Sequence, residues 1–350
     1  MRVSLYDAVR ELPLEIEGYE LELLELQARA DFLRKTTVVH LRGGREEGIG
    51  EDVTYHAEEH DRLQARGPDL PLAGSWTLDT FSEHLATLPL FDAEPEQHAY
   101  HDYRRWGFES AALDLALRQA GASLGQAVGR EPRPVEFVVS MGLGTPPSTE
   151  RVRAWLELYP RLRFKLDATP EWSDELVAEL VATGAVDSVD LKGHYRGTPV
   201  DAPPDPALYR RVAEGLPHAW LEDPALTDDT EPVLEAHRDR VTWDAIIHSV
   251  EDIESLPWAP RTVNVKPSRF GSVERLFAAY DYCEAKGIGA YGGGQWELGP
   301  GRGQIQLLAS LFHPSTPNDV APREFNLEPR PGLPASPLVV RPRETGFLAL

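Results

Sequence analysis

The amino-acid sequence predicts an α/β protein: a closed parallel barrel of alternating strands and helices behind an N-terminal α+β section. Three observations carry that expectation. Short apolar or β-branched runs alternate with helical patterns from Pro132-Arg133-Pro134 to about residue 324. Successive run ends lie roughly 21 to 31 residues apart, the length of one strand plus one helix. Ionisable residues recur at those run ends, where a barrel gathers its chemistry.

Taken in order, Tyr19-Glu20-Leu21-Glu22-Leu23 alternates with period two, and Thr36-Thr37-Val38-Val39-His40-Leu41 is β-branched and followed by Gly43-Gly44. Residues 15–56 therefore read as strands with turns. Residues 78–125 read as helical, with Glu109, Leu113 and Leu117 on a 3.6-residue period. Barrel strands are expected at Phe137–Met141, Arg163–Asp167, Ser188–Lys192, Ala219–Glu222, Val241–Ile246, Thr262–Lys266 and Ile288–Tyr291. Helices are expected at Ser148–Leu158, Ser173–Thr183, Leu208–Glu214, Glu231–His237 and Val273–Lys286. The last strand falls around Asn318–Val320, and Gly193–Pro206 reads as a long irregular stretch. The Pro-rich residues 325–350 read as a tail that packs back on the N-terminal section. The expected division is thus 1–130 for the first domain and 131–324 for the barrel.

The chain has 350 residues and a formal net charge of -22, which argues against nucleic acid or an anionic membrane as partner. Its single cysteine, Cys283, excludes an internal disulfide and a cysteine-based metal site. The N-terminus lacks the apolar core of a signal peptide, and no apolar run approaches bilayer length, so the chain reads as cytoplasmic. Homo-oligomerisation is compatible with the sequence.

Lysine is the rare residue: Lys35, Lys165, Lys192, Lys266 and Lys286 stand among 35 basic residues. Three of the five lie at the ends of barrel runs, Lys192 and Lys266 at the last residue and Lys165 two before it. A partly buried lysine can shift its pKa and act as a base, which arginine cannot. Side chains two apart on a strand share a face, so Lys165 pairs with Asp167 and Asp190 with Lys192. Glu222, Asp244 and Lys266 follow, one per strand end. The four acids and three lysines could nearly neutralise one another. Alternatively Asp190, Glu222 and Asp244 hold a divalent cation, and all-oxygen ligands on separate strands suit Mg²⁺.

These residues resemble the enolase superfamily, in the group containing muconate lactonising enzyme, o-succinylbenzoate synthase and the dipeptide epimerases. Trp106–Ala116 is similar to the helix linking the family's capping domain to its barrel. Leu221-Glu222-Asp223-Pro224 resembles the fourth-strand metal-ligand motif, and Asp190 and Asp244 fall at the third- and fifth-strand ligand positions. Asn264-Val265-Lys266-Pro267-Ser268 resembles the sixth-strand segment, and Gly289–Glu297 the seventh-strand motif. The resemblance implies a (β/α)7β modified TIM barrel with an N-terminal α+β capping domain. It implies Mg²⁺ on Asp190, Glu222 and Asp244, and abstraction of a proton next to a carboxylate of a small organic acid. Lys266 is then the base, Lys165 a carboxylate or metal assistant, and Lys192 a second base or a counter-ion of Asp167; Asp167, Gln295 and Glu297 are candidate substrate contacts.

The sequence departs from the family in two places. The second strand ends Lys165-Leu166-Asp167 where the family carries Lys-x-Lys, and the third ends Asp190-Leu191-Lys192 where it carries Asp-x-Asn. A rival alignment makes Asp167 the third-strand ligand. Two other functions stay open: a metal-free Schiff-base lyase using Lys192 or Lys266, and a non-catalytic relative. Outside the barrel ends, Gly48–His56 suggests a hairpin turn or a loop closing over the barrel mouth, and Gly299–Gly303 an anion cradle before a helix. His194, Tyr195 and Arg196 are loop candidates for substrate contact, and His248 lies beside the site.

Overall fold

The computed structural model describes residues 4–29, 32–195 and 200–349. The N-terminal part is built from β1 (Pro13–Ile16), β2 (Gly18–Arg29), β3 (Phe32–Gly43), β4 (Glu46–Asp52), α1 (Ala57–Arg66), β5 (Gly74–Thr77), α2 (Leu78–Leu85), α3 (Ala99–Gln119) and α4 (Leu124–Val128). Strands β2, β3 and β4 form an antiparallel sheet with Leu21 opposite Val39 and Val39 opposite Gly50. Helix α3 lies directly on β4. A Cβ at Gly50 would sit 2.1 Å from the Gly107 carbonyl oxygen, and one at Gly48 would sit 2.3 Å from that of Ala111. Glycine is therefore required there for close approach, which corrects the turn or loop reading of Gly48 and Gly50: both lie within β4. The predicted helical span 78–125 is broken because residues 86–98 form turns between α2 and α3.

The second part alternates β6 (Val138–Gly142), α5 (Glu150–Leu158), β7 (Arg163–Asp167), α6 (Asp174–Thr183), β8 (Val186–Asp190), α7 (Pro206–Gly215), β9 (Trp220–Glu222), α8 (Glu231–Leu234), β10 (Val241–Thr242), α9 (Val250–Glu254), β11 (Thr262–Val265), α10 (Pro267–Phe270), α11 (Val273–Lys286), β12 (Gly289–Gly292) and α12 (Pro300–Phe312). Strands β6 to β10 pair in parallel in sequence order, and β11 pairs in parallel with β12. Single backbone hydrogen bonds bridge the remaining gaps. Asn264 N donates to Trp243 O at 2.9 Å, Asp319 N to Gly292 O at 2.8 Å, and Val138 N to Asn318 O at 2.8 Å. Residues 318 and 319 thus take the eighth staff, between β12 and β6. This is the strand order of a (β/α)7β barrel under an α+β cap. The fifth strand is shorter than Val241–Ile246, because the chain leaves the ladder at Trp243 and turns.

The C-terminal stretch threads back across both parts. Leu338 exchanges backbone hydrogen bonds with Val135 at 2.9 and 2.7 Å. Phe347 is fully buried, and its N–H donates to Asp114 Oδ1 on α3 at 2.6 Å. Among the described residues, no helix is long and apolar enough to cross a membrane.

Candidate active site at the barrel mouth

Register builds the site. Asp167, Asp190, Glu222 and Thr242 sit in one rung across β7, β8, β9 and β10. Asp244 lies two residues past Thr242, and Lys165 two before Asp167. Asp190, Glu222 and Asp244 are fully buried, and each offers a carboxylate oxygen within 4.8 Å of the others'. An all-carboxylate donor set on separate strands fits a hard divalent cation. In the first of the two alignments these are the third-, fourth- and fifth-strand residues, and Asp167 stays outside the triad.

Each carboxylate carries a lysine. Lys165 Nζ hydrogen-bonds Glu222 Oε1 and lies 3.5 Å from Asp190 and 3.8 Å from Asp319. Lys192 Nζ lies 2.6 Å from Asp190 Oδ2 and 3.1 Å from Asp167 Oδ1. Lys266 Nζ lies 2.8 Å from Asp244 Oδ2. The path of Lys266 depends on Gly293, where a Cβ would stand 2.6 Å from Lys266 Cε.

Other residues join: Tyr195, a loop candidate from the sequence, and Arg269, Tyr291 and Asp223, to which sequence reasoning gave no role. Arg269, on α10 and almost fully buried, donates to Asp244 Oδ1 at 2.8 Å and to Oδ2 at 3.4 Å. Tyr195 Oη donates to Asp244 Oδ2 at 3.0 Å, and Tyr291 Oη to Glu222 Oε2 at 2.5 Å. Asp223 takes a left-handed backbone, φ +50°, which turns its carboxylate onto the N–H groups of Asp244 and Ala245 at 2.8 and 2.9 Å. Their signals were present: an arginine one helical turn past Lys266, and an Asp-Pro pair after Glu222. Six carboxylates (Asp167, Asp190, Glu222, Asp223, Asp244, Asp319) now face four cations (Lys165, Lys192, Lys266, Arg269). With all six ionised the excess would be two negative charges, which a divalent ion would balance.

Electrostatics follows from that count. Burial pushes the Glu222 carboxyl up to about 8, and Asp190 and Asp244 add to it against the opposing Lys165. Burial also lifts Asp223 to about 7, with Asp244 and Asp190 contributing. At Asp244 the penalty of burial is outweighed by Arg269, Lys266 and Lys165, which hold it well below the carboxylate range. Burial alone would lower Lys165 and Lys192. Glu222 and Asp190 around the first, and Asp167 and Asp190 around the second, outweigh it and hold both ammonium groups well above the ordinary lysine value. The nearest charges to these two lysines are carboxylates.

The remaining predicted residues are distributed around the mouth. The Gln295 side chain is held between Tyr55 Oη at 3.1 Å and Tyr103 Oη at 3.0 Å, both from the cap. Arg34, fully buried on β3, donates to the Gln295 and Trp296 carbonyls at 2.8 and 3.2 Å. Glu297 accepts from Gln295 N at 2.6 Å and pairs with Arg302 at 3.0 Å. The Gly299–Gly303 cradle is filled by the chain itself, because Glu51 from β4 accepts the N–H groups of Leu298, Gly299 and Gly301. His248 Nδ1 lies 3.1 Å from the Arg269 carbonyl, behind the arginine that holds Asp244. Arg196 lies outside the described residues.

Two family models match the chain: the N-terminal domain of a domain of unknown function (DUF8230) over residues 7–127, and its C-terminal domain over 131–327. An o-succinylbenzoate synthase of Geobacillus stearothermophilus is 25% identical over 258 residues, 67% of this chain and 66% of that protein. An N-succinylamino acid racemase of Thermus thermophilus is 27% identical over 341 residues, 88% of this chain and 86% of that protein. Among solved structures, a member of the enolase superfamily from Listeria innocua superposes with a TM-score of 0.63 at 16% identity, covering 89% of this chain and 86% of that one. A dipeptide epimerase from Methylococcus capsulatus, complexed with Mg ion, superposes with a TM-score of 0.66 at 18% identity, covering 87% and 89%.

Proposed function

We propose that this chain, which belongs to the DUF8230 family and to the enolase superfamily of enzymes, is a Mg²⁺-dependent enzyme that removes a proton next to a carboxylate of a small organic acid. The observation that carries the reading is the triad Asp190, Glu222 and Asp244, three buried carboxylates within 4.8 Å of one another. Those three would hold the ion, and when bound it would supply positive charge beside the substrate carboxylate.

The α-proton of a carboxylate is very weakly acidic, because its removal puts a second negative charge on an anion. Lys266, buried beside Asp244 at the end of the sixth strand, is the base. Lys165, fully charged beneath the mouth, faces the developing enediolate charge. Lys192 stands across the mouth on the third strand and takes the place of the lysine missing at Asp167. In that position it can return a proton to the other face, as a racemase or epimerase requires. Elimination or cycloisomerisation needs only Lys266. The cap contributes Tyr55 and Tyr103, which fix Gln295 at the edge of the mouth as a substrate contact.

The Schiff-base reading loses support at Lys192 from the same geometry. A nucleophilic amine must be neutral, whereas Lys192 is held charged by Asp167 and Asp190. The test is calorimetric titration of Mg²⁺ into metal-stripped protein, with Glu222→Gln as control. Saturable binding that the substitution abolishes supports the triad and justifies screening N-succinylamino acids, dipeptides and related carboxylates for deuterium exchange. Absence of Mg²⁺ binding overturns the reading.

A further inference from the structure

We propose a second metal site, for zinc, on the outer face of the cap. Glu94, His98 and His101 each offer one ligand atom, and the three atoms lie within 4.8 Å of one another. Glu94 Oε1 stands 3.2 Å from His101 Nε2 and 3.9 Å from His98 Nδ1. Two imidazole nitrogens and one carboxylate oxygen form a donor set typical of Zn²⁺, with further positions left for water. Mg²⁺ prefers oxygen ligands and would leave this site for the barrel triad. The two sites therefore sort metals by donor chemistry.

The site is partly built. His101 stands edge-on to Phe91, with ring centroids 5.2 Å apart, and Phe91 is braced by the Arg104 guanidinium 3.7 Å from its ring centroid. Arg104 in turn is anchored to Asp52 at 2.9 Å. His98, 91% exposed, is free to turn its ring those last tenths of an ångström inward. Among the described residues Glu94 pairs with these two imidazoles and with no lysine or arginine that a metal would displace. Glu58 and Glu96 flank His56 nearby at 3.2 and 3.7 Å and add negative potential to the patch. Zinc here would staple the 92–97 turn to the first turn of α3, two residues before Tyr103.

Zinc chloride is titrated calorimetrically into the Glu222→Gln protein, in which the barrel triad has lost a ligand and does not contribute. One zinc per chain at micromolar affinity is expected, with a rise in melting temperature. His98→Ala and His101→Ala should each weaken binding by at least about tenfold, and the paired variant should lose the thermal shift while keeping its own fold. Histidine ring resonances of His98 and His101 should move with zinc, and those of the buried His60 and His313 should not. The proposal is overturned if zinc fails to bind at micromolar concentration, or if it binds the paired histidine variant with the same affinity and stoichiometry as the parent.

Discussion

Glu51 Oε2 lies 2.8 Å from the amide nitrogen of Gly301, so a carboxylate of the cap closes the first turn of a barrel helix. Its other oxygen accepts from Leu298 N at 2.7 Å and Gly299 N at 3.0 Å. The N-terminus of a helix carries unpaired N–H groups and a partial positive charge. A carboxylate oxygen accepts those N–H groups, although burial and the nearby Glu297 push the Glu51 carboxyl up, and here it also joins β4 of the cap to α12 of the barrel. Glu51→Gln should therefore cost about 2–3 kcal/mol, because the new amide presents N–H toward N–H. Urea denaturation of the two proteins measures it, and equal midpoints would remove Glu51 from the list of interdomain contacts that matter.

Lys192 and Lys266 divide the proposed chemistry between two faces. Lys266→Met should reduce deuterium exchange into a carboxylate substrate by roughly 10²–10⁴-fold, the usual worth of a general base. Lys192→Met should spare exchange at the Lys266 face and abolish interconversion of enantiomers. Both are read by proton NMR in deuterated water with each enantiomer separately. Retention of racemisation by Lys192→Met would confine Lys192 to its ion pairs with Asp167 and Asp190.

The barrel staves were legible because apolar and β-branched runs recur at the length of a βα unit. The triad was legible because alternation forces Asp190, Glu222 and Asp244 onto the inner face. Asp223 was not, since alternation turns the neighbour of Glu222 away from the site. Only its left-handed backbone returns its carboxylate to the Asp244 amide. Arg269 was hidden among the arginines that make up most of the 35 basic residues, and Glu51 among 57 acids. In each of these the residue type is common, and its meaning comes from a partner far along the chain. Glu51 and Gly301 are 250 positions apart. Rarity made the lysines readable; the residues that orient their partners carried only weaker marks of position, an arginine one helical turn past Lys266 and an Asp-Pro pair after Glu222.

His313 should set an acid limit on stability. Its ring is fully embedded: Nδ1 donates to Asn318 Oδ1 at 2.6 Å, and Nε2 accepts from Tyr280 Oη at 3.2 Å. The donor assignment follows because Asn318 Nδ2 already donates to the carbonyls of Glu136, His313 and Thr316, leaving Oδ1 as acceptor. Burial pushes the imidazole down to about 4, against the opposing hydrogen bond from Asn318. The unfolded chain takes up this proton near the ordinary histidine value of about 6.5, before the folded one does. Stability from this group is thus complete above that pH, falls as the pH drops, and is exhausted near the folded value. Linkage puts the loss at about 3 kcal/mol. Because Asn318 pairs the eighth staff with β6, charging His313 should loosen the barrel's closing seam. Denaturation midpoints of parent and His313→Gln, measured across this interval, should converge as the pH falls, since only the parent carries the titration. Parallel curves would show that His313 takes its proton without cost.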